Sequence, residues 1–117
     1  MLFRSATSST RRYAERVLNQ FDLRARFDFL MTAEDVTHGK PDPEIYQRTA
    51  ERFGVETCQI IVLEDSPVGL AAAKAAGSCC VVVPSPFTPE ADWSHADAVI
   101  PQLDAPELLS LIGLMQR

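Results

Sequence analysis

The segment that most constrains this chain is Ile60 through Gly77, IIVLEDSPVGLAAAKAAG. Its apolar run, Ile60-Ile61-Val62-Leu63, predicts a strand buried on both faces, as in parallel sheets covered by helices. The run ends in two adjacent carboxylates, Glu64 and Asp65. Ser66-Pro67 then opens an alanine-rich helix, with serine suited to the cap and proline to the first turn. Open α/β sheets hold ligands at the C-terminal ends of their strands, so a site is expected here. Neighbouring strand residues point to opposite faces, but both can face one site where a strand breaks into a turn. Such a pair suits Mg²⁺, which takes few protein oxygens and completes its shell with water and substrate phosphate. An acidic pair that merely favours a helix start is equally consistent with these residues taken alone.

The remaining chain repeats the same rhythm. Leu2 to Ala6 reads as a short strand ending in the polar cluster Thr7-Ser8-Ser9-Thr10. From Arg11 to about Phe21, Tyr13, Ala14, Val17, Leu18 and Phe21 recur at helical spacing. Phe27 to Met31 predicts a second strand. Asp42 is placed to cap a helix with Pro43 at its first position; Ile45, Tyr46, Ala50 and Phe53 face inward and Gly54 stops it. Cys79 to Val83 and Ala98 to Ile100 predict further strands around a proline-containing loop, Pro84 to Asp97. Asp104 and Glu107 have the spacing of a capping box for a last helix with Leu108, Leu109, Leu111, Ile112 and Met115 on its apolar face. This alternation predicts an α/β fold, a parallel sheet with helices on both faces, in one domain over residues 1–117.

Composition narrows the function classes. Sixteen acidic residues against eleven basic ones give a net charge of −5, which argues against nucleic acid or an anionic membrane held by charge. No apolar run is long enough to span a bilayer, and no basic-then-apolar leader opens the sequence. Cys58, Cys79 and Cys80 form neither a CxxC pair nor an even set, and read as buried thiols of a reducing cytoplasm. His38 and His95 are too few and too scattered for a metal cluster.

Two further segments carry chemistry. In His38-Gly39-Lys40-Pro41-Asp42-Pro43, Lys40 is one of only two lysines among eleven basic residues. A lysine on a glycine-proline loop ahead of a helix can meet a phosphate as a compact charge; a solvated loop lysine is the alternative. Ala6-Thr7-Ser8-Ser9-Thr10 places hydroxyls and backbone N–H groups between a strand and a helix, a ready anion site. Taken alone, these residues are better explained by simple N-capping.

Together, in this order and at these separations, the three segments resemble motifs two, three and four of the haloacid-dehalogenase-like hydrolases. The β-phosphoglucomutase and phosphoglycolate phosphatase branch is the most similar. GKPDPEIY and VLEDSPVGLAAAKAAG carry the resemblance; ATSST is weaker but correctly placed. It implies a Rossmann-like core and Mg²⁺-dependent hydrolysis or transfer of a small phosphate ester from a phosphorylated metabolite. It further implies that Thr7 and the Ser8 amide bind the transferred phosphoryl group and that Lys40 neutralises its oxygens. Asp65 would ligate Mg²⁺, with Glu64 in its inner or outer shell. A receiver domain also sets a lysine and acids around Mg²⁺, but its acidic pair belongs on the first strand.

The sequence departs from the family in one large respect. The resemblance places an aspartate nucleophile, followed two residues later by an acid–base aspartate, upstream of ATSST, with a helical cap between. Here six residues precede Thr7 and none is acidic. The expectation is therefore an incomplete core, without its first, central strand and its cap, inactive alone and binding Mg²⁺ weakly or not at all. The alternative is a non-catalytic phosphate-binding or interaction module of the same fold. Two strands would then face each other across a gap, and a rearranged sheet is expected, or one completed by self-association or by a complementing segment.

Overall fold

In the computed structural model, which describes residues 3–88 and 91–115, the apolar runs form five strands. They are β1 (Phe3–Ala6), β2 (Phe27–Met31), β3 (Ile61–Glu64), β4 (Cys79–Val82) and β5 (Ala98–Val99). Between and after them lie helices α1 (Arg11–Gln20), α2 (Glu44–Phe53), α3 (Pro67–Ala75) and α4 (Pro106–Met115). Every ladder is parallel, as strands joined through intervening helices or long loops allow. The fold is the expected α/β, Rossmann-like arrangement, but the strands form two sheets, β1-β2 and β3-β4-β5. Among the described residues no ladder joins β1 to β3, so these two strands do not close directly on each other.

Strand β4 shows why its sequence is wholly apolar. Cys80 and Val82 enter one buried cluster with Phe29, Ile45, Tyr46, Val62, Leu70 and Ala73. Val81 faces the other way, into a cluster with Ile100, Ala105 and Leu108. Helices α2 and α3 thus cover one face of this sheet and α4 the other. Strand β3 differs from expectation. Val62 and Glu64 are buried, but Leu63, which points to the opposite face, is 40% exposed; β3 pairs only with β4, and its other edge has no ladder partner among the described residues.

Other boundaries shift for local reasons. Helix α2 starts at Glu44, not Pro43. Pro43 occupies the cap position, and the Asp42 side chain accepts from the Glu44 amide at 3.0 Å. Asp42 therefore lies one position before the cap, from which its carboxylate still takes the first amide of the helix. Gly54 ends α2 at φ 73°, a left-handed conformation that glycine adopts without a Cβ penalty. Helix α4 begins at Pro106, so its cap position falls on Ala105, not Asp104. The side chain of Met115, expected on its apolar face, lies outside the described ones. Ser66 caps α3 as predicted, accepting from the Gly69 amide at 3.1 Å. Of the cysteines only Cys80 is buried; Cys79 is half-buried and Cys58 exposed. Burial pushes the Cys80 thiol up to about 12. No helix among the described residues is long and apolar enough to cross a membrane.

Candidate phosphate and metal site

Strand β1 ends at Ala6, and the next residues turn into α1. The Thr7 amide continues the β1-β2 ladder by donating to the Met31 carbonyl at 2.9 Å. Its hydroxyl oxygen accepts from the Ser9 amide at 3.1 Å, which leaves the hydroxyl hydrogen able to donate outward. The Ser8 amide donates to no acceptor among the described residues. Thr10 caps α1, its hydroxyl accepting from the Tyr13 amide. Capping of α1 therefore falls to Thr10, and Thr7 and Ser8 line the cavity beside it.

Opposite them lies the loop from Thr37 to Lys40. It is held by Glu44, at the start of α2, whose carboxylate accepts from the amides of Thr37 at 2.7 Å and His38 at 3.0 Å. Arg48, one turn on, donates to the same carboxylate at 2.8 Å. These bonds, led by that from Thr37, hold the Glu44 carboxyl down to about 2. Lys40 follows, with only 11% of its side chain exposed. Its ammonium donates to the Ala6 carbonyl at 3.2 Å and to Glu64 Oε1 at 2.6 Å. An ammonium has three donors, so one remains for an anion. Thr7, Ser8, Thr37, Gly39 and Lys40 line a single cavity of about 150 Å³.

The acidic pair divides its work. Glu64 turns into the protein, where Oε1 takes both Lys40 and the hydroxyl of Tyr46. A Cβ built on Gly69 would collide with the Glu64 carboxylate, so α3 accommodates this side chain only through a glycine. Burial, and then the Glu64 charge, raise the Tyr46 hydroxyl far above its ordinary range, so it stays a donor. Asp65 is exposed. Its carboxylate makes no hydrogen bond or ion pair with the described residues, while its carbonyl accepts from the Thr88 hydroxyl at 3.2 Å. Asp65 does not line the cavity of Thr7 and Lys40.

The structure thus brings Thr7, Ser8 and Lys40 to one cavity and ties Lys40 to Glu64, while Asp65 follows Glu64 at the end of β3, outside that cavity. No group of three or more acidic, histidine or cysteine side chains among the described residues could enclose a metal ion. The donor set still fits Mg²⁺ in part: an uncommitted carboxylate at a strand end, the hard oxygen donor this ion takes, with water and phosphate to supply the rest. Tyr46 and Gly69 were not singled out from sequence. Both carried a signal: a tyrosine on a buried helical face needs a partner for its hydroxyl, and a glycine inside a helix costs stability unless something approaches closely.

A match to the haloacid dehalogenase-like hydrolase family runs over residues 6–83, two-thirds of the sequence. The chain belongs to the haloacid dehalogenase-like hydrolases. It is 42% identical to validoxylamine A 7'-phosphate phosphatase of Streptomyces hygroscopicus subsp. limoneus, over 83% of this chain and 45% of that protein. It is also 42% identical to hexitol phosphatase B of Escherichia coli, over 69% of this chain and 36% of that protein. Among solved structures, CbbY from Rhodobacter sphaeroides in complex with phosphate superposes with a TM-score of 0.80 at 30% identity. That superposition takes in 86% of this chain and 46% of CbbY. The chain thus spans less than half the length of each of these relatives.

Proposed function

We propose that this chain carries the phosphate-binding and metal-facing half of a Mg²⁺-dependent phosphoester hydrolase or phosphomutase site, whose ligand is a small phosphorylated metabolite. One observation carries the reading: Thr7, Ser8 and Lys40 line one cavity, and the Thr7 hydroxyl, the Ser8 amide and the Lys40 ammonium each keep a donor without a partner among the described residues. The family membership supports it, as do a phosphatase acting on validoxylamine A 7'-phosphate and a hexitol phosphatase among the relatives. In this reading Thr7 and Ser8 hold the phosphoryl oxygens, Lys40 neutralises them, and Asp65 offers its carboxylate to Mg²⁺. Bound there, the ion would neutralise charge on the phosphate and template its orientation. Glu64 is assigned as the counter-charge of Lys40, outside the metal's inner shell. The segment before Thr7 supplies no acidic side chain in this sequence, so the chain alone is proposed to bind phosphate without turning an ester over. Its cysteines, none of them in a disulfide, support a reducing, cytoplasmic setting.

Two assays on the purified chain test this. Calorimetry should detect inorganic phosphate binding that Mg²⁺ strengthens and Lys40→Ala removes; no binding at millimolar phosphate sinks the cradle. With p-nitrophenyl phosphate and Mg²⁺ no turnover is expected, and robust turnover abolished by Asp65→Asn would overturn the inactivity. The second reading, a non-catalytic phosphate-binding module, is favoured by the commitment of Glu64 to Lys40 and Tyr46. It predicts phosphate binding indifferent to Mg²⁺ and to Asp65→Asn.

A further inference from the structure

The phosphate-binding lysine bridges the two separate sheets. Its ammonium reaches the last carbonyl of β1 and the last side chain of β3, yet it arrives on a flexible four-carbon stem from a loop belonging to neither. Holding such a side chain in one rotamer opposes its rotamer entropy. The hold comes from Glu64, and Glu64 is itself gripped from two sides. Gly69 closes against its carboxylate, and Tyr46, 4% exposed, donates to the oxygen that accepts from Lys40. Tyr46 also offers its ring to the ammonium, 5.1 Å from Nζ to the ring centroid. Without that hydroxyl Oε1 keeps Lys40 as its one donor among the described residues, and the carboxylate turns more freely about its last torsion.

We propose that Tyr46 is a positioning residue for Lys40: its hydroxyl fixes the Glu64 carboxylate, and the carboxylate fixes the ammonium at the cavity wall. This rests on the phosphate-site reading above, but it is testable without phosphate. The relay Tyr46–Glu64–Lys40 couples the buried face of α2 to the site. A tyrosine that merely satisfied its own hydroxyl in the core would affect stability and nothing at the ammonium.

The test is ¹⁵N–¹H spectroscopy of the lysine ammonium groups in the full chain, which has only two lysines to assign. In the wild type the Lys40 ammonium should exchange with water far more slowly than that of Lys74. In Tyr46→Phe its exchange should quicken roughly fivefold, the scale of one lost hydrogen bond, while Lys74 is unchanged. Phosphate affinity should fall by a similar factor, and in a Lys40→Met background Tyr46→Phe should cause no further loss. An unchanged Lys40 exchange rate in folded Tyr46→Phe overturns the proposal. Should that variant not fold, the wild type decides: a slowly exchanging Tyr46 hydroxyl proton with a nuclear Overhauser contact to the Lys40 ammonium supports it, and absence of that contact overturns it. A wild type that binds no phosphate would defeat the functional reading and leave the ammonium result to judge this one.

Discussion

Gly69 is the smallest residue with the largest consequence near the site. It sits in the first turn of α3, donates to the Ser66 cap, and leaves the space that the Glu64 carboxylate fills. Gly69→Ala should raise helix propensity and still destabilise, because the new methyl meets a carboxylate held by two donors. Overpacking of this kind costs roughly 1–3 kcal/mol, to be read from urea unfolding; equal or greater stability would show that Glu64 can move aside. Glu44 gives a prediction in pH. Its carboxyl is held at about 2 in the fold against 4.5 as the reference. Between those values the unfolded chain binds the proton and the folded chain does not, so the stabilisation is whole above about pH 4.5 and fades as pH falls toward 2. Melting temperature should drop across that window, and by less in Glu44→Gln, which forgoes the contribution at pH 5 already. The clamp itself, a carboxylate on two loop amides, was invisible in the sequence, where Glu44 read only as part of GKPDPEIY. Lys40 was legible because lysine is rare here and its neighbours are glycine and proline.

At the scale of elements, legibility followed the number of neighbours each element has. Strand β4 and helix α2 have partners on the sides their patterns demand, and both matched the expectation closely. Helix α1 has the strongest amphipathic spacing in the chain, yet none of its residues is fully buried, and Tyr13 is 60% exposed. Periodicity reports which face can be buried; it does not report whether anything lies against that face. The same limit explains Leu63, apolar by sequence and 40% exposed on β3. Helix α4 permits a direct check through two adjacent leucines of equal hydrophobicity. Leu108 is 6% exposed and packs with Val81 and Ile100, whereas Leu109 is 71% exposed. Leu108→Ala should cost about 2–5 kcal/mol and Leu109→Ala no more than about 0.5 kcal/mol. Similar losses at both positions in chemical denaturation would mean that α4 is docked in another rotation.

At the scale of the whole molecule, the described residues form two parallel sheets joined near the site by side chains rather than by a ladder. Lys40 spans from the Ala6 carbonyl to Glu64, and α2 packs its buried face into the cluster that β2, β3 and β4 share. A lone buried ion pair is a poor substitute for a run of backbone hydrogen bonds, since desolvation cancels much of its attraction. The open sides of β1 and β3 carry peptide groups without a ladder partner among the described residues, the condition in which strands recruit another chain. We propose that these edges drive self-association of the isolated chain. Light scattering should give a mass that climbs above 12.9 kDa with concentration, and amide exchange in Phe3–Ala6 and Ile61–Glu64 should slow in step. Leu63→Lys places a charge beside the exposed edge and should shift the equilibrium toward monomer without loss of the fold, because that side chain is already partly in water. A monomer at every concentration, with the same slow exchange in both strands, would mean that the edges are satisfied within one chain and that no second strand is needed.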